Sequence, residues 1–242
     1  MKMRFCAGLA VGFALIVALV ICGPTASKAG AAAAPDEFIE QDPWEPFNEA
    51  MFTFNRQIDR FIVKPVATVW DVVLPDVVQR SIHNAFDNVL VVRRLVNNLL
   101  QAKMGGASRE VARFTINSTV GVAGLFDVAK YGLGIEQSDE DTGQTMGVWG
   151  IGPGPYLILP FIPQPLTVRD GIGYVFDMAL TPTSYLFLVN PIGISLGVNS
   201  TNVFNERSLN LDKFQSVEET TVDLYGAVRN AYLQRRAAAI KE

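Results

Sequence analysis

Residues 142–205 constrain the fold more than any other part of this sequence. The stretch is 64 residues long and carries three charged side chains, Arg169, Asp170 and Asp177. About a quarter of the residues of a water-soluble domain are charged, so this region is built to lie out of water. Seven prolines and nine glycines interrupt it, whereas a membrane-spanning helix needs about 20 consecutive apolar residues. The sequence therefore predicts broken helices lodged in a bilayer, with their irregular backbone turned toward the protein interior.

Residues 1–34 have the composition of an export signal. Lys2 and Arg4 supply a basic start, and residues 7–21 form an apolar stretch that is too short to span a membrane comfortably. Small residues follow at 26–34. This order of a basic, an apolar and a small-residue region is typical of a signal peptide.

Two processing routes are open for this signal. The run Leu19-Val-Ile-Cys22 resembles a lipoprotein processing site, in which Cys22 would carry lipid. Ordinary cleavage would instead use the small residues at 29–31 or 31–33. Ile21 stands where a lipoprotein site has a small residue, and this favours ordinary cleavage.

Charge and cysteine usage exclude several classes of protein. Removing residues 1–34 leaves 17 basic and 24 acidic side chains, a net charge of −7, which argues against nucleic-acid binding. Both cysteines, Cys6 and Cys22, lie in the signal, so ordinary cleavage leaves no disulfide and no thiolate metal ligand. We expect a linker at 35–41, one domain at 42–239, and neither a metal nor a cofactor.

Helical spacing dominates the start of this domain. After Pro43 and Pro46, an apolar stripe repeats every three or four residues through Phe47, Met51, Phe54, Ile58 and Phe61. The stripe predicts an amphipathic helix that ends at Lys64-Pro65. We expect this helix to pack on a core, with lipid contact as the alternative.

The remaining chain is mainly α by the same spacing and by its helix-end signals. One helix is predicted from Pro75-Asp76, with Asp76 as its N-cap, to Lys103, where Gly105-Gly106 stops it. The C-terminal section, 216–239, is predicted to be a single helix. A short hairpin is expected at 149–162.

Two motifs suggest chemistry that their surroundings do not support. Gly193-Ile-Ser-Leu-Gly197 matches the nucleophile elbow of lipases, with Ser195 as the nucleophile. That elbow needs a later histidine, and the single histidine, His83, lies far upstream. Asp139-Glu-Asp-Thr-Gly143 is similar to the first part of a calcium loop but lacks the remaining ligands, which favours a solvated acidic turn.

Several polar side chains have apolar neighbours in the sequence. They are Arg113, Asn117, Asp127, Arg169, Asp170 and Asp177. Charges at membrane depth are costly, and they normally pair with one another or face a water-filled cavity. The pattern therefore indicates either buried ion pairs that join helices or a hydrophilic passage for lipid headgroups.

A series of sequence blocks resembles the VacJ/MlaA family of outer-membrane lipid-transport proteins. The resemblance runs in order from about residue 40 to about residue 236. The matching blocks are Asp42-Pro-Trp-Glu-Pro-Phe-Asn48, Phe52-Thr-Phe-Asn55, Lys64-Pro-Val66, Asn97-Asn-Leu-Leu-Gln101, Arg113-Phe-Thr-Ile-Asn117, Asp141-Thr-Gly-Gln-Thr-Met-Gly147, Gly152-Pro-Gly-Pro-Tyr156 and Arg169-Asp170.

The resemblance implies a ring of helices around a central amphipathic channel, on the periplasmic side of a Gram-negative outer membrane. Such a protein removes mislocalised phospholipid from the outer leaflet, passes it to a periplasmic carrier and works beside a trimeric porin. With the polarity pattern, the resemblance assigns a lipid path to Arg113, Asn117, Arg169 and Asp170. The membrane-facing and flap residues that it suggests are Trp149, Gly152, Gly154, Tyr156, Leu157, Leu159 and Phe161.

The sequence thus predicts a non-enzymatic phospholipid-transfer protein. Two rival classes stay open: a lipid hydrolase that uses Ser195, and a structural protein that tethers the outer membrane. In the leading interpretation, glycines and prolines make residues 149–162 a movable flap beside the channel. The alternative is a tightly packed turn, in which glycine only permits close approach.

Overall fold

The computed structural model describes residues 42–162, 164–185 and 192–242. The predicted signal at 1–34, with Cys22, and the linker at 35–41 lie outside the described residues. The mainly helical prediction is confirmed. The helices are α1 (Glu45–Ile58), α2 (Lys64–Val73), α3 (Asp76–Val89), α4 (Val91–Leu100), α5 (Met104–Thr119), α6 (Val128–Leu133), α7 (Thr142–Val148), α8 (Val168–Leu180), α9 (Ile192–Leu209), α10 (Leu211–Thr220) and α11 (Leu224–Lys241).

The first helix does not end at Lys64-Pro65, so that prediction is wrong. A π turn, Asp59–Val63, joins α1 to α2, and its widened spacing lets the Lys64 N–H donate to the Asp59 carbonyl. Pro65 then falls in the first turn of α2, where a helix has no use for the N–H that proline lacks. Arg207 of α9 fixes the turn by two hydrogen bonds to Asp59, at 2.8 and 2.9 Å.

The helix predicted for residues 76–103 divides at Leu90 into α3 and α4. Asp76 does not cap α3 through its side chain; it pairs with Arg80 at 3.3 Å on the surface. The N-cap prediction for Asp76 is therefore wrong. An acidic side chain in the first turn can still stabilise the helix through its dipole.

The glycine pair Gly105-Gly106 begins α5 instead of ending a helix. A Cβ atom at Gly106 would lie 1.7 Å from Asn98 Oδ1, whereas one at Gly105 would meet nothing within 4 Å. Gly106 is thus used for the close approach of α4 and α5. The prediction failed because glycine in a sequence does not tell a stop from a packing contact.

The C-terminal helix predicted for 216–239 is also divided, into α10 and α11. Asp223 lies between them and caps α11 by accepting a hydrogen bond from the Gly226 N–H at 3.0 Å. A capping carboxylate at this position satisfies an N–H group that has no partner inside the helix.

The hairpin expected within residues 149–162 has the wrong limits, because only one of its two short strands lies in that segment. Strand β1 (Tyr156–Leu157) pairs antiparallel with β2 (Leu166–Thr167), which lies beyond the segment. Strand β2 leads directly into α8, whose first turn Thr167 caps by accepting from the Asp170 N–H. The pair therefore attaches the segment to the start of α8.

The buried apolar core around β1 is small. It consists of Tyr156, Ile158 and Tyr225, with Phe52 of α1 packed against it. The Tyr156 and Tyr225 rings meet edge to face, with centroids 6.2 Å apart. In the part of the chain that the structure describes, no helix combines the length and apolar character needed to cross a bilayer.

Candidate functional site

Among the described residues, most buried side chains are polar, and many large apolar side chains are exposed. The largest fully buried side chains among the described residues are Gln79, Glu110, Asn48, Asn97, Asn98, Asn205, Thr145 and Thr167. Each is polar, whereas the interior of a water-soluble domain is dominated by apolar side chains. Such an interior is stable only where its polar groups bond to one another.

The outer surface is correspondingly apolar around the π turn and α2. Phe61, Val69, Val72 and Val73 are all exposed there, Val72 to 82%. The stripe of α1 behaves in the same way, because Phe47, Phe54 and Phe61 are exposed while only Met51 and Phe52 pack against the core. Core packing was the favoured expectation for this stripe, and it is wrong for these three phenylalanines. A continuous exposed apolar surface indicates contact with lipid or with another protein.

Arg113 and Asn117, two residues of the predicted lipid path, converge on one carboxylate. Arg113 donates to Asp127 at 2.9 Å and Asn117 donates to the same group at 2.8 Å. Burial alone would raise the pKa of Asp127, but these hydrogen bonds outweigh it and leave the pKa below its usual range. Asp127 also caps α6 by accepting from the Lys130 N–H. This cluster matches the alternative of buried ion pairs that join helices.

A polar cavity of about 10 Å³, enough for about one water molecule, lies beside this cluster. Its lining is Asn84, Asp87, Asn88, Val91, Arg94, Arg113, Phe114, Asn117 and Asp127. The Nε atom of Arg113 is buried without a hydrogen-bond partner. The cavity is too small in this conformation to admit a lipid headgroup.

Arg169 and Asp170 belong to a second cluster, between α8 and α11. Arg169 donates to Asp170 at 2.9 and 3.0 Å, and Arg236 of α11 bonds to both Asp170 and Asp141. Burial would raise the pKa of Asp170, but the Arg236 guanidinium and the Tyr232 hydroxyl outweigh it and lower the pKa. The two halves of the predicted lipid path are therefore held in separate networks, and their transport role stays a prediction.

The acidic turn at 139–143 is part of these networks instead of being solvated. Glu140 pairs with Lys103 at 2.8 Å, and Asp141 caps α7 while bonding to Arg236. The prediction of a solvated turn is wrong for these two carboxylates, because cations from distant elements reach them. Within the described residues, no three His, Cys, Asp or Glu side chains lie close enough together to hold a metal ion.

A third network holds α4, α7 and α8 together through Asp177. The Asp177 carboxylate accepts hydrogen bonds from the Thr142 N–H at 3.1 Å and from Asn97 at 3.3 Å. Burial outweighs these bonds and raises the pKa of Asp177. Asn97 in turn accepts from the Thr145 hydroxyl at 2.8 Å.

The flap and membrane residues divide into exposed and buried positions. Trp149 and Phe161 are exposed, and Leu157 and Leu159 are half-buried. Tyr156 lies in the aromatic core with 3% of its surface exposed, so lipid contact by this side chain is wrong for the described conformation. Gly152 is exposed, and Gly154 has a positive φ of 67° that favours glycine.

Two asparagines of α1 hold the backbone of this segment, and the sequence analysis gave them no such role. Asn48 donates to the Tyr156 carbonyl at 3.0 Å and accepts from the Ile158 N–H at 2.9 Å. Asn55 lies two turns further along α1, on the same face, and bonds to the backbone of residues 159–162. The sequence does contain a signal for this role. Asn48 and Asn55 are seven residues apart, beside the apolar stripe, and this spacing places both amides on one face of a helix.

The hydrolase alternative requires a histidine close to Ser195. Ser195 lies in α9, with its side chain outside the described residues. His83, the one histidine of the chain, hydrogen-bonds to Glu206 and lies 3.6 Å from Asp87.

Comparisons with known proteins agree with the sequence blocks. The MlaA lipoprotein family model matches residues 40–239. The chain is 31% identical to the intermembrane phospholipid transport system lipoprotein MlaA of Escherichia coli K12 over 238 residues, covering 97% of this chain and 88% of that protein. It is 34% identical to an uncharacterised protein of Rickettsia typhi over 203 residues, covering 83% of this chain and 78% of the relative.

A solved structure supports the same relationship in three dimensions. It comes from work on the structural basis for maintenance of bacterial outer membrane lipid asymmetry. The two folds match with a TM-score of 0.71 at 30% sequence identity, over 83% of this chain and 100% of the solved one. From the family match, the identity to its members and the shared fold, we conclude that this chain belongs to the MlaA lipoprotein family.

Proposed function

We propose that this protein transports phospholipid at the bacterial outer membrane and so maintains lipid asymmetry. It would remove mislocalised phospholipid from the outer leaflet and pass it to a periplasmic carrier, beside a trimeric porin. The observation that carries the proposal is the family match over residues 40–239, together with the relative named as a phospholipid transport lipoprotein. The described residues contribute a polar interior inside an apolar surface, which suits a protein that lies among lipid chains and handles headgroups.

Deletion and complementation in the native bacterium test this function. We expect deletion to raise the amount of phospholipid in the outer leaflet, measured by its labelling in intact cells with a membrane-impermeant amine reagent. The restored chain should return this amount to the wild-type level. Unchanged outer-leaflet phospholipid after deletion would favour the structural tether instead.

The hydrolase alternative makes a separate expectation. Purified protein incubated with labelled phospholipid should release no fatty acid, and Ser195→Ala should complement the deletion as well as the unaltered chain does. Release of fatty acid that disappears on Ser195→Ala would overturn the non-enzymatic proposal.

We further propose a lipid path that includes Arg113, Asn117, Arg169 and Asp170, with residues 149–162 as its movable flap. The family resemblance at these four positions supports the first part, together with their burial, since each of the four polar side chains is at most 5% exposed. For the second, the Phe54 and Phe161 rings meet edge to face with centroids 5.4 Å apart, so a cysteine pair at 54 and 161 tests for a reversible crosslink, whose formation is verified by gel shift. We expect outer-leaflet phospholipid to accumulate in the oxidised double variant and to clear after reduction, with each single cysteine variant as the control.

A further inference from the structure

The segment 149–162 is attached to the protein much more firmly at one end than at the other. Residues 153–158 are the fixed part: the Pro153 and Pro155 carbonyls accept hydrogen bonds from the first residues of α8 at 3.1 and 3.0 Å. Strand β1 pairs with β2, and Tyr156 and Ile158 lie in the buried core. Moving this part would break a strand pair and expose two large apolar side chains, so we exclude it as the mobile element.

Residues 159–162, which we call the tip, have a different attachment. Asn55 donates to the Leu159 carbonyl at 2.8 Å and to the Ile162 carbonyl at 3.1 Å, and it accepts from the Phe161 N–H at 2.9 Å. One half-buried side chain therefore satisfies three backbone groups of the tip. Phe161 is 75% exposed, so little apolar burial supplements these bonds.

The backbone of the tip is also strained. Phe161 adopts a φ of 64°, in the left-handed region where a side chain with a Cβ is disfavoured. Such a conformation persists only when its surroundings enforce it. Asn55 enforces it directly, because its carbonyl oxygen holds the Phe161 N–H.

Asn48 provides the natural contrast on the same helix. It is completely buried and bonds to the fixed part, at Tyr156 and Ile158. Asn55 lies seven residues later, half-buried, where water can compete for its amide. The two asparagines lie on the same helix face but differ in solvent exposure, and solvent exposure decides how readily their hydrogen bonds open.

We propose that Asn55 is the positioning residue that latches the tip to α1, and that the tip alone moves, about a hinge between Ile158 and Leu159. This proposal rests on the phospholipid-transport function proposed above, and it narrows the flap from residues 149–162 to 159–162. Release of Asn55 breaks three hydrogen bonds at once and frees Phe161 to leave its left-handed backbone conformation. The Asn55 side-chain amide thereby sets the fraction of time for which the tip is detached from α1.

Hydrogen exchange on the full-length protein in lipid nanodiscs tests the latch directly. We expect Asn55→Ala to accelerate exchange of the Phe161 amide by about 10- to 100-fold, the range expected when up to three half-exposed hydrogen bonds are lost. The amide of Ile158 should be unchanged. Gln57→Ala, an exposed position on the same helix, should alter neither amide and is the matched control.

A second measurement separates the latch from the transport function. Chains with Asn55→Ala or Gln57→Ala are expressed in the deletion strain, and outer-leaflet phospholipid is labelled as above. We expect the Asn55→Ala level to differ at least about twofold from the Gln57→Ala level, because detachment and transport are linked through the tip. Faster Phe161 exchange with an unchanged phospholipid level would overturn the proposal that the latch acts on transport, and the transport function itself would stand. The latch itself would be overturned if Asn55→Ala left exchange of the Phe161 amide unchanged, or if it accelerated exchange of the Ile158 amide equally. Failure of the unaltered chain to complement would instead defeat the proposed function.

Discussion

At the scale of single residues, this protein depends on buried polar side chains that serve two or three elements each. Asp127 caps α6 and receives both Arg113 and Asn117 of α5. The sequence pattern marks these residues because charges stand among apolar neighbours. It could not supply their partners, since Arg236 and Asp170 lie 66 positions apart in the chain and only the fold brings them together.

The Arg113–Asp127 pair gives a stability prediction. Asp127→Asn should lower the free energy of unfolding by about 3 kcal/mol, because Arg113 stays buried without a counter-charge. Asp76→Asn, which removes a solvent-exposed pair with Arg80, should cost at most about 0.5 kcal/mol. Denaturant unfolding in detergent micelles, followed by tryptophan fluorescence, measures both. Equal losses for the two variants would contradict the buried pair.

His83 gives a prediction of pH dependence. A hydrogen bond to Glu206 raises the pKa of His83 above 6.5 despite partial burial, with Asp87 and Asp127 acting in the same direction. Because the folded pKa exceeds the unfolded one, the stabilisation is complete below about pH 6.5 and is lost as the pH rises through the folded value. We expect Tm to fall over this window, and Glu206→Gln to flatten the fall. A Tm profile identical in the two proteins would exclude the pair as its cause.

At the scale of elements, the sequence predicted helix content well and helix boundaries poorly. Spacing of apolar residues found α1 and α3, because a helical repeat leaves the same pattern whichever face is buried. It failed at Pro65 and at Gly106, where a π turn and a close helix contact replaced the expected stops. Proline and glycine restrict or free the local backbone. Whether such a residue ends a helix, begins one or allows two helices to approach depends on the neighbouring helix.

The glycine pair at the start of α5 offers a matched test of this distinction. Gly106→Ala should destabilise the protein by about 1–3 kcal/mol, because the new methyl group meets the Asn98 side chain. Asn98 cannot easily yield, since it donates to the Arg94 carbonyl at 2.8 Å. Gly105→Ala should stabilise the helix by about 0.5–1 kcal/mol, because nothing lies nearby and alanine loses less entropy. The same sign for both changes in thermal unfolding would show that backbone entropy, and not packing, governs this turn.

At the scale of the whole molecule, exposed apolar side chains occur on most of the described helices, and the π turn and α2 carry several of the most exposed ones. The low-charge stretch at 142–205 predicted a protein suited to a bilayer, although much exposed apolar surface lies outside that stretch, at Phe61, Val69 and Val72. Those positions carry an ordinary helical spacing, which is equally typical of a helix buried in a core. Sequence alone therefore could not tell which side faced outward.

This surface predicts how the protein associates with membranes. Val69→Asp combined with Val72→Asp should weaken binding to phospholipid vesicles by at least about tenfold, since acidic side chains are costly among acyl chains. Val222→Asp, at a fully exposed position between α10 and α11, should leave binding unchanged. Vesicle flotation with a Cys22→Ser background measures this without the contribution of an acyl anchor. Loss of binding by Cys22→Ser alone would show that lipidation, and not this surface, attaches the protein.

The polar interior also changes which substitutions natural variation can accept. In most domains, substitutions accumulate fastest on the surface and a buried methyl group is hard to replace. Here we expect the least tolerant positions to be buried amides and carboxylates such as Asn48, Glu110 and Asn205. Exchanges among valine, isoleucine and phenylalanine on α2 should be nearly silent, because acyl chains do not discriminate their shapes. A deep mutational scan should therefore show that exposed positions accept apolar residues and buried positions require polar ones. A water-soluble protein shows the reverse preference at both kinds of position. Relatives would then diverge mainly by reshuffling their outer apolar side chains while keeping the network inside.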